Sequence, residues 1–81
     1  MPIVLRYKGY RFFFFSNEGK PLKPLHIHVR KDEKVAKFWI EPEIALAETY
    51  AFSSSELNGL AKIIETNKTL IERSWNEYFG E

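Results

Sequence analysis

Eighty-one residues leave room for one small core, and 44% hydrophobic with 16% aromatic content can build it without crosslinks. No cysteine is present, which excludes disulfides and thiolate metal sites and fits a reducing cytoplasm. Twelve basic and eleven acidic side chains give a net charge of +1, so any attraction to nucleic acid must come from how the charges are distributed.

The whole chain, 1–81, is expected to form one domain, with a β part over 1–50 and a helical part over 53–79. The apolar start is broken by Arg6, Lys8 and Arg11, so it reads neither as a membrane span nor as a signal peptide, and a cytoplasmic location is expected. Ile3 to Tyr7 and Tyr10 to Ser16 are rich in β-branched and aromatic residues and read as two strands joined by a tight turn at Lys8-Gly9. That turn pairs Leu5 with Phe12, Ile3 with Phe14, Arg6 with Arg11 and Val4 with Phe13. Phe12 to Phe15 is apolar on both faces, as in a strand covered twice, whether by a helix, a partner or a second copy.

Asn17 to Pro24 carries turn formers and two prolines and reads as a loop; Lys20 and Lys23 would make it a basic arm or, more simply, a solvated connection. A second hairpin follows, His26 to Arg30 with Val35 to Ile40 around Asp32-Glu33. Clean alternation sets its register: Ile27 meets Phe38 and Val29 meets Ala36 on one face, while His28 meets Lys37 and His26 meets Trp39 on the other. Pro42 ends this strand, and Ile44 to Tyr50 fits either a short edge strand or irregular chain, with the strand favoured.

Ser53 and Glu56 form a capping box that opens a helix with Leu57, Leu60, Ala61 and Ile64 along one stripe. Thr66-Asn67-Lys68 weakens it, and a second helical stretch carries Leu70, Ile71, Trp75, Tyr78 and Phe79 up to Gly80. One bent helix and two separate helices both satisfy this pattern. Trp75, Tyr78 and Phe79 are expected in the core, against Ile27, Val29, Phe38 and Ile40. The fold class is therefore α+β, an antiparallel β-meander of four to five strands followed by two C-terminal helices packed on one face.

Several of these strings have a shared look. Gly9-Tyr10-Arg11-Phe12-Phe13-Phe14, Pro24-Leu25-His26-Ile27-His28-Val29, Ala36-Lys37-Phe38-Trp39-Ile40, the helix start at Glu56-Leu57 and the C-terminal Trp75 to Phe79 together resemble a family of small bacterial proteins, the domain of unknown function DUF4160. The resemblance covers essentially the whole chain. The family pattern usually reads Pro-Pro before the first histidine, where this chain has Pro24-Leu25. Members commonly sit beside a second small gene, as in toxin–antitoxin modules. The resemblance thus implies one half of such a pair, read here as the toxin half, with a small cognate protein as its silencer. The family has no settled catalytic residues to carry over.

The residues themselves point to one surface. His26 and His28, at i and i+2 of a strand, project to the same face, together with Arg30, Lys37 and Trp39 and with Arg6 and Arg11 of the first hairpin. Arg and Lys would hold an RNA or DNA backbone while Trp39 stacks on a base. In a ribonuclease reading, His26 or His28 is the general base, kept neutral by Lys37 beside His28, and Arg30 or Lys37 stabilises the developing phosphorane. In the plainer reading, histidines on a half-exposed strand bond to backbone or cap loops. The same face would also suit partner docking, since Trp and Arg are favoured interface anchors.

His-x-His with Glu41 or Glu43 as third ligand would be a weak transition-metal site, and Glu41, Glu43 and Glu48 otherwise read as edge charges. Ser53-Ser54-Ser55 is a helix cap rather than part of a triad, and no cofactor motif is present. Three functions compete. The first is a toxin acting on nucleic acid or on the transcription or translation machinery; the second is a non-catalytic interaction module; the third is a small metal-dependent hydrolase.

Overall fold

A computed structural model describes residues 3–15 and 24–79. Five strands form one antiparallel sheet in the order of the chain: β1 (Ile3–Tyr7), β2 (Tyr10–Phe13), β3 (His26–Lys31), β4 (Lys34–Trp39) and β5 (Ala45–Tyr50). Two helices follow, α1 (Ser54–Thr66) and α2 (Lys68–Phe79). This is the α+β meander expected from the sequence, with the edge strand at 45–50 formed. The loop expected over Asn17 to Pro24, with Lys20 and Lys23, lies outside the described residues apart from Pro24.

Lys8 and Gly9 turn the first hairpin with φ of 47° and 88°, the doubly left-handed pair that a two-residue turn between twisted strands requires. Leu5 and Arg6 face Phe12 and Arg11 as expected. Beyond them the expected pairing fails: Ile3 meets Phe13, not Phe14, because Val4 is an extra residue in a β-bulge. The shift ends β2 at Phe13 instead of carrying it towards Ser16. Phe14, released from the ladder, packs its ring against Trp75 and Phe79 at 5.1 and 5.8 Å.

The β3–β4 register is the expected one throughout: His26 opposite Trp39, Ile27 opposite Phe38, His28 opposite Lys37 and Val29 opposite Ala36. One face of the sheet carries Phe12, Ile27, Val29 and Phe38 and packs on Leu60 and Ile64 of α1 and Ile71 and Trp75 of α2. Spacings of four residues bring each helical pair to one side, which is why an amphipathic stripe suffices to cover the sheet. The helical segment divides in two at Asn67. Its backbone N–H donates to Ile63 and Ile64 carbonyls and its side chain to Ile63 O at 2.8 Å, closing α1 before α2 starts. Tyr78, expected in the core, stands 44% exposed: Ile71 and Trp75 define the buried stripe of α2 and Tyr78 falls beside it.

The capping box is formed reciprocally, Glu56 N–H donating to Ser53 Oγ and Ser53 N–H donating to Glu56 Oε1 at 3.0 Å. The same carboxylate accepts from Lys34 Nζ at 3.1 Å and from the Tyr10 hydroxyl at 3.2 Å, so one residue ties α1 to β2 and β4. The Ser53 backbone N–H first, then Lys34, hold the Glu56 carboxyl down at about 2. Burial, and then the Glu56 carboxylate, push the Tyr10 hydroxyl up. A carboxyl depressed in the folded state stabilises above its unfolded pKa and loses that contribution as pH falls towards the folded one. The melting temperature of the wild type is therefore expected to exceed that of Glu56→Gln by a constant margin above about pH 5. The margin should shrink between about 4.5 and about 2. A margin unchanged down to about pH 2 would show that the ionised carboxylate is not what holds α1 to the sheet.

Candidate functional site

The sheet face turned away from the helices is built from three rows of cross-strand neighbours. The first runs Arg6, Arg11, Arg30, Val35, Tyr50, one residue from each strand. The second runs Ile3, Phe13, His28, Lys37, Glu48. The third holds His26, Trp39 and Ala45. A second bulge, at Ala47, keeps Glu48 and Tyr50 on this face while Leu46 turns to the helix side.

The charges on this face are one-sided. The five strands contain Arg6, Arg11, Arg30, Lys31, Lys34 and Lys37 against a single acidic residue, Glu48. Of those cations, Lys34 is tied to Glu56 on the helix side, and Lys31 Nζ lies 4.7 Å from the centre of the Tyr10 ring. The other four stand on the open face. Lys37 Nζ sits 4.7 Å over the Trp39 ring, a cation–π contact, and faces Glu48 across the β4–β5 ladder. Arg30 Nε donates to the Asp32 carbonyl at 3.3 Å, and among the described residues neither Arg6 nor Arg11 is paired with a carboxylate.

Rings are set between the charges. His28 is half-buried, stacked on Phe13 at 5.7 Å and meeting the edge of Phe15 at 4.4 Å. Phe13 is thereby covered, while Phe15 remains 39% exposed. Phe13, Phe15, His28, Lys37, Glu48 and Tyr50 help to line a shallow groove of about 340 Å³, apolar in its floor and charged at its rim.

Of the expected catalytic set His26, His28, Arg30 and Lys37, the last three share this surface with the expected binding residues Arg6, Arg11 and Trp39. His26 does not. It is fully buried, 0% exposed, enclosed by Trp39 at 5.6 Å and Trp75 at 5.3 Å with His28 at 5.3 Å. Its Nδ1 lies 2.8 Å from the Pro24 carbonyl, and since a carbonyl only accepts, Nδ1 carries a proton. Strand parity points His26 to the open face, but the ring is buried, with Trp75 of α2 packed against it at 5.3 Å. Of the two alternative general bases, His28 is the one that this surface carries. Among the described residues no three of His, Asp and Glu gather as a metal would require, so Glu41 and Glu43 do not complete a site with the histidines.

The sequence reading missed Phe13, Phe15, Val35 and Tyr50 as parts of this surface. A signal for the first two was present: Arg11, Phe13 and Phe15 alternate and so share a side. Tyr50 could not be placed, because the Ala47 bulge sets the register of β5.

Fold and site together define a small α+β domain with a helix-covered face and an open, basic, aromatic one. The family model for the domain of unknown function DUF4160 matches residues 9–76, and the chain belongs to that family. No curated protein and no solved structure matches the chain. Among the described residues no helix is long and apolar enough to cross a membrane.

Proposed function

We propose that this protein is the effector, toxin-like half of a bacterial two-protein module, acting on nucleic acid or on the transcription or translation machinery through its open sheet face. A small partner protein silences it by covering the same face. The observation that carries this reading is the distribution of charge and rings: four cations and the rings of Phe15, His28 and Trp39 on a face with Glu48 as its one strand carboxylate, while the other face is filled by helices. A fold that needed this sheet only as scaffold would gain nothing from leaving such a surface uncovered. The burial of His26 leaves His28 as the histidine of this face able to serve as a general base.

Induction of the wild type alone is expected to arrest bacterial growth, and co-expression of the neighbouring small protein to relieve the arrest. Arg30→Glu/Lys37→Glu, a reversal of two exposed or half-exposed charges, is expected to abolish it without loss of soluble protein. Growth unaffected by soluble, well-expressed wild type would move the assignment to the second reading, a non-catalytic interaction module in which this face is only a docking surface.

A further inference from the structure

The cross-strand row Arg6–Arg11–Arg30 works against the fold. Like charges directly opposite on neighbouring strands are destabilising, and here three arginines occupy directly paired, exposed positions. Arg6 and Arg11 have no carboxylate partner among the described residues, and Arg30 reaches only a backbone carbonyl. Nothing in the described structure offsets the repulsion, so an external anion is the natural complement.

We infer that this row is the phosphate line of a binding site for single-stranded RNA; the inference rests on the proposal that the open face acts on a cellular target. Guanidiniums bind phosphate bidentately, and neighbouring strands lie about 4.8 Å apart, so the three stems span about 10 Å. A nucleic-acid backbone crossing the sheet perpendicular to the strands meets all three; one running along a strand meets one. Crossing this way, it passes on to Tyr50 at the far end of the same row, 66% exposed and free to take a base. The adjacent row lies about 7 Å away along the strands, and the bases fall over it, beside the half-buried His28 and the 39% exposed Phe15 that meets its edge.

The exposed rings select single strands, because a duplex hides the π-faces of its bases. Glu48 selects RNA. A carboxylate beside a phosphate line repels the backbone, yet it accepts a hydrogen bond from a ribose 2′-hydroxyl, which DNA lacks. Glu48 stands directly across the β4–β5 ladder from Lys37, in the second row beside the phosphate line.

The test uses the purified full-length chain and short fluorescent oligonucleotides of one mixed sequence, as single-stranded RNA, single-stranded DNA and duplex RNA, with anisotropy read across a salt series. Single-stranded RNA is expected to bind more tightly than the other two. Arg6→Gln/Arg11→Gln/Arg30→Gln is expected to lose affinity about tenfold or more, and its log–log salt slope should flatten by about 2, or ~0.7 for each of three phosphate contacts. The same variant should melt no lower than the wild type, because it removes a repulsion. Phe15→Ala and Tyr50→Ala should each weaken binding about fivefold or more. Equal or tighter binding of DNA or duplex, an unchanged salt slope, or a lowered melting temperature of the triple variant would each overturn the assignment. Growth arrest in cells without RNA binding in vitro would overturn the RNA site and keep the effector reading. RNA binding without arrest would do the reverse.

Discussion

Phe38→Ala is expected to lower the free energy of unfolding by about 3–5 kcal/mol, the usual range for truncating a buried aromatic ring. Phe38 is 2% exposed and stands between Ile27 and Leu46 in the sheet, on the face that α1 and α2 cover. Removing its ring takes away apolar burial and leaves a cavity that a sheet backed by two helices cannot collapse without moving them. A domain of 81 residues has a total stability of about 4–12 kcal/mol, so the variant should be partly unfolded at physiological temperature. Urea unfolding followed by circular dichroism measures it, with an unchanged m-value showing that the denatured state is the same. A change below about 1 kcal/mol would mean that Phe38 faces solvent and that the β3–β4 register is displaced by one residue.

His26→Ala is expected to cost about 2–4 kcal/mol, while His28→Ala, from the next position on the same strand face, costs about 1 kcal/mol or less. The difference lies in what covers each ring. His26 is enclosed by Trp39 and Trp75, and it holds the Pro24 carbonyl where the chain enters β3. Its removal opens a void between sheet and α2 and releases the entry of the strand. His28 is half-buried and touches Phe13 and Phe15, so its loss thins the open face without opening the core. Equal and small effects for both variants would return His26 to the surface and restore it beside His28 as an alternative general base. The comparison also guards the functional tests, since a His26 variant that fails to act has lost its fold first.

Much of this molecule follows from local pattern. The β3–β4 register could be read because alternation is strict on both strands and a one-residue slip would bury charges and expose Phe38. The capping box needs only Ser53 and Glu56, three residues apart, and the helical stripes need only their spacing. Pairing of Arg6 with Arg11 followed from the two-residue turn, and Arg30 and Lys37 from strand parity. What alternation cannot contain is an extra residue or a distant cover. The bulges at Val4 and Ala47 arise from how neighbouring strands fit, so they re-aimed Ile3 and Phe14 and placed Tyr50 in the arginine row. The sequence by itself determined the sheet, its helices and the side of the sheet on which the charges stand. Only the tertiary structure decided that Trp75 seals His26 away and leaves His28 at the groove, because burial is set by residues far along the chain.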